Sequence, residues 1–292
     1  MRKLLVVSLA VAGLSVSVGQ IPNPGSQNPT IGIRGLGFGI SLEAQDRVQS
    51  ISVGGTPRIS AADAAKPVPR LPDGTVDLTG PWLDGGSNDD IERDGGLKPG
   101  ELPLLPSAKT IRDNRLTKDE PYTACLPMSV PRHNPYPWKF AMSYTSKGLT
   151  HIYVLHETGD AGAHRVVYMD GRRHPVDPIP TWWGHSTGRF EKDTLVIDTI
   201  GYNDKFWFDA RGTPHTEKLH TIERWTRTSF GKMTNDFTLD DPGAFSRPVQ
   251  LKFTATHIRP DLDLMEFICL EDNEYGLAGG IIPANEGGQR GK

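Results

Sequence analysis

The stretch Pro180-Thr181-Trp182-Trp183-Gly184-His185-Ser186-Thr187-Gly188-Arg189-Phe190-Glu191-Lys192-Asp193-Thr194-Leu195-Val196-Ile197-Asp198-Thr199 decides the fold class. Its second half alternates around the turn Glu191-Lys192-Asp193, the period-two signature of a β-hairpin. Its first half places an aromatic pair and a histidine just ahead of that hairpin. Such a segment reads as the mouth of a β-structure with polar chemistry beside it.

Outward from this hairpin the pattern persists. From Tyr136 onward, β-branched and aromatic residues recur with period two, and strands are expected near 138–145, 150–157, 164–170, 186–190, 194–200, 219–227, 233–240, 249–258 and 264–270. The links Ser146-Lys147-Gly148, Asp170-Gly171-Arg172, Phe230-Gly231-Lys232 and Arg259-Pro260-Asp261 are short and turn-forming. Short links imply antiparallel neighbours. A long meander must also cover its edges, so the expected fold is all-β: a lipocalin-like antiparallel barrel or strongly curved sandwich with an irregular N-terminal arm. One short helix is expected over Ser107–Lys118, with Ser107 as N-cap.

Before the barrel, Met1-Arg2-Lys3 and the apolar run Leu4–Val18 read as a secretory signal peptide over residues 1–19. The run falls short of the roughly twenty apolar residues of a membrane span, and none is expected in the mature chain. Residues 20–66 are rich in Gly, Ser, Ala and Pro and read as a flexible arm. Residues 67–135 read as irregular chain packed on a barrel domain of residues 136–275, with Trp82 as an anchor. Residues 276–292 read as a tail.

The chain carries 32 Lys and Arg against 35 Asp and Glu, a formal net charge of −3, with no basic block. Nucleic acid is therefore excluded as a natural partner, and nothing in the sequence identifies a protein partner. Cys125 and Cys269 are the only cysteines. In an exported chain an even pair favours a bridge, although two buried free thiols remain the alternative, since sequence alone does not bring the two Cα atoms within reach.

Several phrases occur together: Pro72-Asp73-Gly74 with Asp77-Leu78, Gly80 and Trp82; Cys125-Leu126-Pro127 with Val130-Pro131-Arg132; Tyr168-Met169-Asp170-Gly171-Arg172 with His174-Pro175; the Trp-Trp-Gly-His-Ser segment; and Pro214-His215 with Glu217, Leu219-His220 and Glu223-Arg224. In this order they resemble a widespread family of secreted, β-rich bacterial proteins, over roughly residues 69–274. The resemblance implies export, a β-rich fold and the pairing of Cys125 with Cys269. It names no catalytic residue.

The chemistry must then come from individual side chains. His185, His215, Glu217 and His220 are the candidate acid–base groups, because a neutral imidazole beside a carboxylate is the usual general base near neutral pH. They are expected to converge at one end of the barrel. Trp182, Trp183, Tyr202, Trp207 and Arg224 are the candidate ligand contacts around a small apolar or aromatic molecule held in the interior. On a strand, His220 shares a face with Ile222 and Arg224, while Glu223 shares the other with Leu219, Thr221 and Trp225. Arg189 and Glu191 share a face and could form a buried pair crossing the barrel. The His215–Glu223 spacing matches neither the His-Glu-x-x-His helix nor the His-x-His pair of metal barrels, and no phosphate-binding loop or nucleophile elbow is present. No metal or cofactor is expected. Two function classes follow: a binding barrel with acid–base activity, or a non-catalytic carrier or envelope component.

Overall fold

A computed structural model describes residues 58–146, 148–157 and 164–269. The signal-peptide reading of residues 1–19, most of the arm and the tail lie outside the described residues.

The core is a closed barrel of nine strands in chain order. They are β1 (Pro81–Asp84), β2 (Trp138–Thr145), β3 (Gly148–His156), β4 (His164–Tyr168), β5 (His185–Glu191), β6 (Thr194–Ile200), β7 (His220–Ser229), β8 (Lys232–Asp240) and β9 (Val249–His257). Closure runs through β1, which pairs Trp82 with Trp138 of β2 and with His257 of β9.

Two expectations are corrected here. The ninth strand is Pro81–Asp84, inside the segment read as irregular, whereas residues 264–269 contain no strand. The sequence period fails at β1 because Pro81, Trp82 and Leu83 are all buried, so no alternation is visible. The meander is also not wholly antiparallel: β4 pairs with β5 in parallel, Val167 opposite Ser186 and Tyr168 opposite Thr187. Asp170-Gly171-Arg172 is therefore not a hairpin turn but the start of a crossover over residues 169–184, the longer connection that parallel neighbours require.

Among the described residues three short α-helices, α1 (Ala61–Ala64), α2 (Ile91–Asp94) and α3 (Pro106–Asn114), and two 3-10 turns over Thr117–Asp119 and Pro121–Ala124 decorate the barrel. The helix expected over Ser107–Lys118 starts one residue earlier and stops four residues sooner. Pro106 occupies its first turn and no side chain caps it, so Ser107 is not the cap. Residues 58–66, assigned to the flexible arm, are docked. Ser60 caps α1 by accepting from the Asp63 amide, Arg58 pairs with Asp84 at 3.0 Å, and the Phe230 and Gly231 amides donate to Lys66 and Ala64 carbonyls.

Inward residues alternate along every strand, as the pleat demands. At one end of the barrel, Trp82, Trp138, Phe140, Leu195, Ile197 and Trp225 make a buried apolar layer. Toward the other end the inward positions turn polar: Arg165, Ser186, Thr199, Thr221, Glu223 and Asn235 are all buried. Over this polar layer the loops close with a second apolar cluster that includes Tyr202, Phe206, Phe208, Phe237 and Phe245. Cys125 and Cys269 are joined, with Cα atoms 5.7 Å apart. Such a bridge belongs to chains that mature in an oxidising environment. No helix among the described residues is long and apolar enough to cross a membrane.

Candidate functional site

The candidate site lies on the outer wall of the barrel, where β5, β6 and β7 run side by side. Because inward positions on β6 are Leu195, Ile197 and Thr199, Asp198 points outward; the same alternation turns His185 and Thr187 of β5 and His220 of β7 to the outside. Asp198 stands across from Thr187 on one side and Ile222 on the other, which leaves His220 diagonal to it.

Asp198 Oδ1 collects two imidazoles. His220 Nε2 donates to it at 2.8 Å and His174 Nε2 at 3.1 Å. His174 comes from the β4–β5 crossover, and its Nδ1 lies 2.9 Å from Nδ1 of His185. With His174 neutral, its Nε2 proton goes to Asp198, so its Nδ1 accepts and His185 Nδ1 donates. The result is a chain of four side chains within hydrogen-bond distance, His185–His174–Asp198–His220. His185 also stacks on Tyr168 at 5.1 Å, and the Arg172 guanidinium lies over that ring at 3.8 Å.

The environment separates the two ends of this chain. The hydrogen bond from His220 to Asp198, and the carboxylate charge, raise the His220 pKa above its ordinary value. The same bond holds the Asp198 carboxyl below the usual range. Partial burial, with His174 and Arg172 nearby, pushes His185 down.

Beside His220 opens a cleft of about 310 Å³, lined by Pro178, Pro180, Ile200 and Leu219 with Asp177, Glu217 and Lys218 at its polar margin. Its wall is pinned to the barrel. The Thr181 amide donates to Gly201 O at 3.0 Å and the Asn203 amide to Thr181 O at 2.7 Å. Gly201 has φ +74°, and a Cβ there would stand 2.8 Å from Pro178; only glycine fits without strain. On the same crossover Val176 and Ile179 are fully or largely exposed, at 106% and 85%.

The structure thus brings His185 and His220 together, through His174 and Asp198, but on the wall rather than at the mouth. Glu217 joins them only as a cleft residue. His215 is elsewhere: it is packed on Phe206 and Phe208 at 3.8 and 5.0 Å, and burial lowers its pKa to about 4. His215 thus stands apart from His185 and His220, enclosed in the phenylalanine cluster.

The expected ligand contacts also divide. Tyr202 is fully buried, its hydroxyl 2.8 Å from Thr221 Oγ1, and burial pushes its pKa up to about 12. Trp207 is buried beneath the Arg115 guanidinium at 4.8 Å. Trp182 and Trp183 are half-buried against the upper apolar cluster. Arg224 points outward and pairs with Glu191 at 2.5 Å, while Arg189 pairs with the same carboxylate. The pair expected to cross the barrel is therefore an exposed one; buried pairs are instead Arg165–Glu223, at 2.6 Å, and Arg132–Glu120.

His174, Asp198 and Thr187 were missed. The signal was present for Asp198, which falls on the polar face of an otherwise apolar strand. His174 was readable only through the crossover. Among the described residues, no three His, Cys, Asp or Glu side chains are arranged to hold a metal ion. The chain matches no protein-family model, and no curated protein or solved structure matches it.

Proposed function

We propose that the protein is an exported, periplasmic or extracellular barrel that binds a small, largely apolar or aromatic molecule in the outer-wall cleft and transforms it by acid–base chemistry at His220. The observation that carries this reading is the single carboxylate oxygen of Asp198 shared by His220 and His174 at the edge of the cleft.

The chemistry follows from the hydrogen bonds. His220 Nε2 is committed to Asp198, so Nδ1 is its basic lone pair. Asp198 fixes that tautomer and stabilises the imidazolium formed when a substrate proton arrives. The proton can return to a different atom of the substrate or to a leaving group, which gives isomerisation, elimination or hydrolysis as the reaction classes. Pro178, Pro180, Ile200 and Leu219 supply an apolar wall for the body of the molecule. Glu217 and Lys218 stand where its polar end would emerge. The disulfide and the resemblance to secreted proteins support the compartment.

The test is a screen of small aromatic and alicyclic carbonyl compounds and esters, read by mass spectrometry for turnover. It is run on wild type, Asp198→Asn and His220→Gln. Turnover lost by at least about a hundredfold in both variants supports the reading. Turnover of equal rate in all three, or compounds that bind without shifting the His220 ring resonances, would overturn it.

A further inference from the structure

A second polar centre lies inside the barrel, separate from the outer relay. His156, the last inward residue of β3, is 4% exposed, and neither of its ring nitrogens has a hydrogen-bond partner. Its ring stacks on Trp183 at 5.4 Å and 13°, and His133 packs against both at 4.4 and 5.2 Å. Trp183 Nε1 is buried and unpartnered, as is Nε of Arg165. On the opposite wall, Asn134 and Asn235 turn their amide nitrogens to Gly85 O at 3.4 and 3.5 Å, and both side-chain oxygens are buried and unpartnered.

Arg165 stands opposite Val154, two residues from His156 on the same face of β3, and is tied through Glu223 and Trp225 to Asn235, which shares Gly85 O with Asn134. Folded proteins pair more than about 90% of their buried polar groups, because leaving one unpaired costs roughly 1–3 kcal/mol. The unpaired atoms around His156, Trp183 and Arg165 point to an occupant.

The character of that occupant follows from the atoms. Trp183 and Arg165 each offer one donor, His156 offers a donor and an acceptor, and the two asparagines offer acceptors. The charge is already closed: Arg165 is neutralised by Glu223 at 2.6 Å, both about fully buried, and desolvation keeps His156 neutral. An anion would enter without a free counter-charge, at a desolvation cost that a neutral molecule avoids. The stacked imidazole and indole offer a flat face.

We propose that the polar layer beneath Trp183 is an internal binding site for a small, neutral, planar molecule carrying both acceptor and donor groups, of the aromatic amide or phenol class. This is a carrier function, independent of the outer relay. Trp183, half-buried and preceding Gly184 at φ +64°, is the side chain over this site.

The experiment uses the full mature chain with ¹⁵N-labelled tryptophan and histidine. Benzamide and phenol are the neutral probes and benzoate the charged control. The Trp183 indole resonance is assigned with Trp183→Phe. Saturable shifts of the Trp183 indole and His156 ring signals are expected with a neutral probe, with benzoate at least about tenfold weaker and His156→Gln weakening the neutral probe about tenfold. Asp198→Asn should leave this binding unchanged, which separates the outcome from that of the outer site. If His156→Gln does not fold, a high-resolution crystal structure of wild type soaked with benzamide replaces it. The proposal is overturned if neither neutral probe saturates these signals, if benzoate binds as well, or if the crystal shows ordered water only on His156, Trp183 and Arg165.

Discussion

Strands β5, β6 and β7 carry two polar chemistries on their two faces, and the contrast shows what each is for. Facing inward, Ser186 bonds Thr199, Thr221 bonds Tyr202, and Glu223 binds Arg165 and Trp225, all out of contact with solvent. Facing outward, one residue along each strand, His185, Asp198 and His220 join His174 in a half-exposed relay. The inner groups are shut away from solvent around a closed Arg165–Glu223 charge pair. The outer imidazoles stay in reach of solvent, with His185 shifted down and His220 shifted up by their surroundings. A period of two residues is all that divides a polar core that specifies the fold from a polar surface that can react.

The sharpest way to break that contrast is to remove one charge from each face. Glu223→Gln leaves Arg165 charged, buried and unpaired, and should cost about 3–5 kcal/mol in urea unfolding at neutral pH. Glu191→Gln, which removes the partner of Arg224 and Arg189 on the exposed side, should leave the urea midpoint within error of wild type. Equal losses would mean that the two faces are not energetically distinct.

Acid should separate the histidines next. His215 is held neutral by burial, with its pKa lowered to about 4 from 6.5. Its contribution to stability is complete above the unfolded value of 6.5 and is lost as pH falls toward 4, about 3 kcal/mol in all. His156 shifts in the same direction, again by burial. His220, raised by Asp198, works oppositely: its contribution is present below 6.5 and disappears as pH rises through its raised pKa. His215→Phe should therefore flatten the acid limb of a stability–pH curve measured by chemical denaturation. An unchanged slope would show that His215 does not sit neutral in the fold.

At the join between wall and cleft, Gly201→Ala should cost about 1–2 kcal/mol, from positive φ and the approach to Pro178 together. Proteolytic nicking of the 175–180 segment should rise with it. A neutral substitution there would show that the cleft wall is held by other contacts.

The sequence made eight of the nine strands legible because half-buried strands announce themselves by alternation: the expected 194–200 coincides with β6, and 138–145 with β2. β1 is silent because it is short and buried along three successive residues. The parallel pairing of β4 with β5 was hidden because Asp170-Gly171-Arg172 has turn composition whichever way the chain then goes. That crossover delivers His174, so the same omission cost the site one of its members. Faces were readable, as His220 and Glu223 show; which outward neighbours meet was not, since diagonal contacts such as His220 with Asp198 depend on register. His215 misled for a simple reason: a histidine near a carboxylate in sequence can be turned into a phenylalanine cluster by one loop.

The most direct reading of the relay, at a small cost in stability, comes from Asp198→Asn. Asp198 is about half-buried and its partners are partly wet, so its loss should cost about 1 kcal/mol or less. Its effect on titration should be plain. In wild type, the carboxylate favours imidazolium at His220, so that ring should titrate above 6.5 in a proton–nitrogen correlation series. With an uncharged amide at position 198, the His220 midpoint should fall, because burial is then opposed only by the weaker pull of the Asp240 charge. Through the 2.9 Å contact between the Nδ1 atoms of His174 and His185, His185 should change tautomer population although it never touches residue 198. His174→Gln should abolish that response at His185 while leaving His220 raised. If His185 shifts equally in Asp198→Asn with and without His174, the four side chains are neighbours and not a relay, and the outer face loses its claim to coupled proton chemistry.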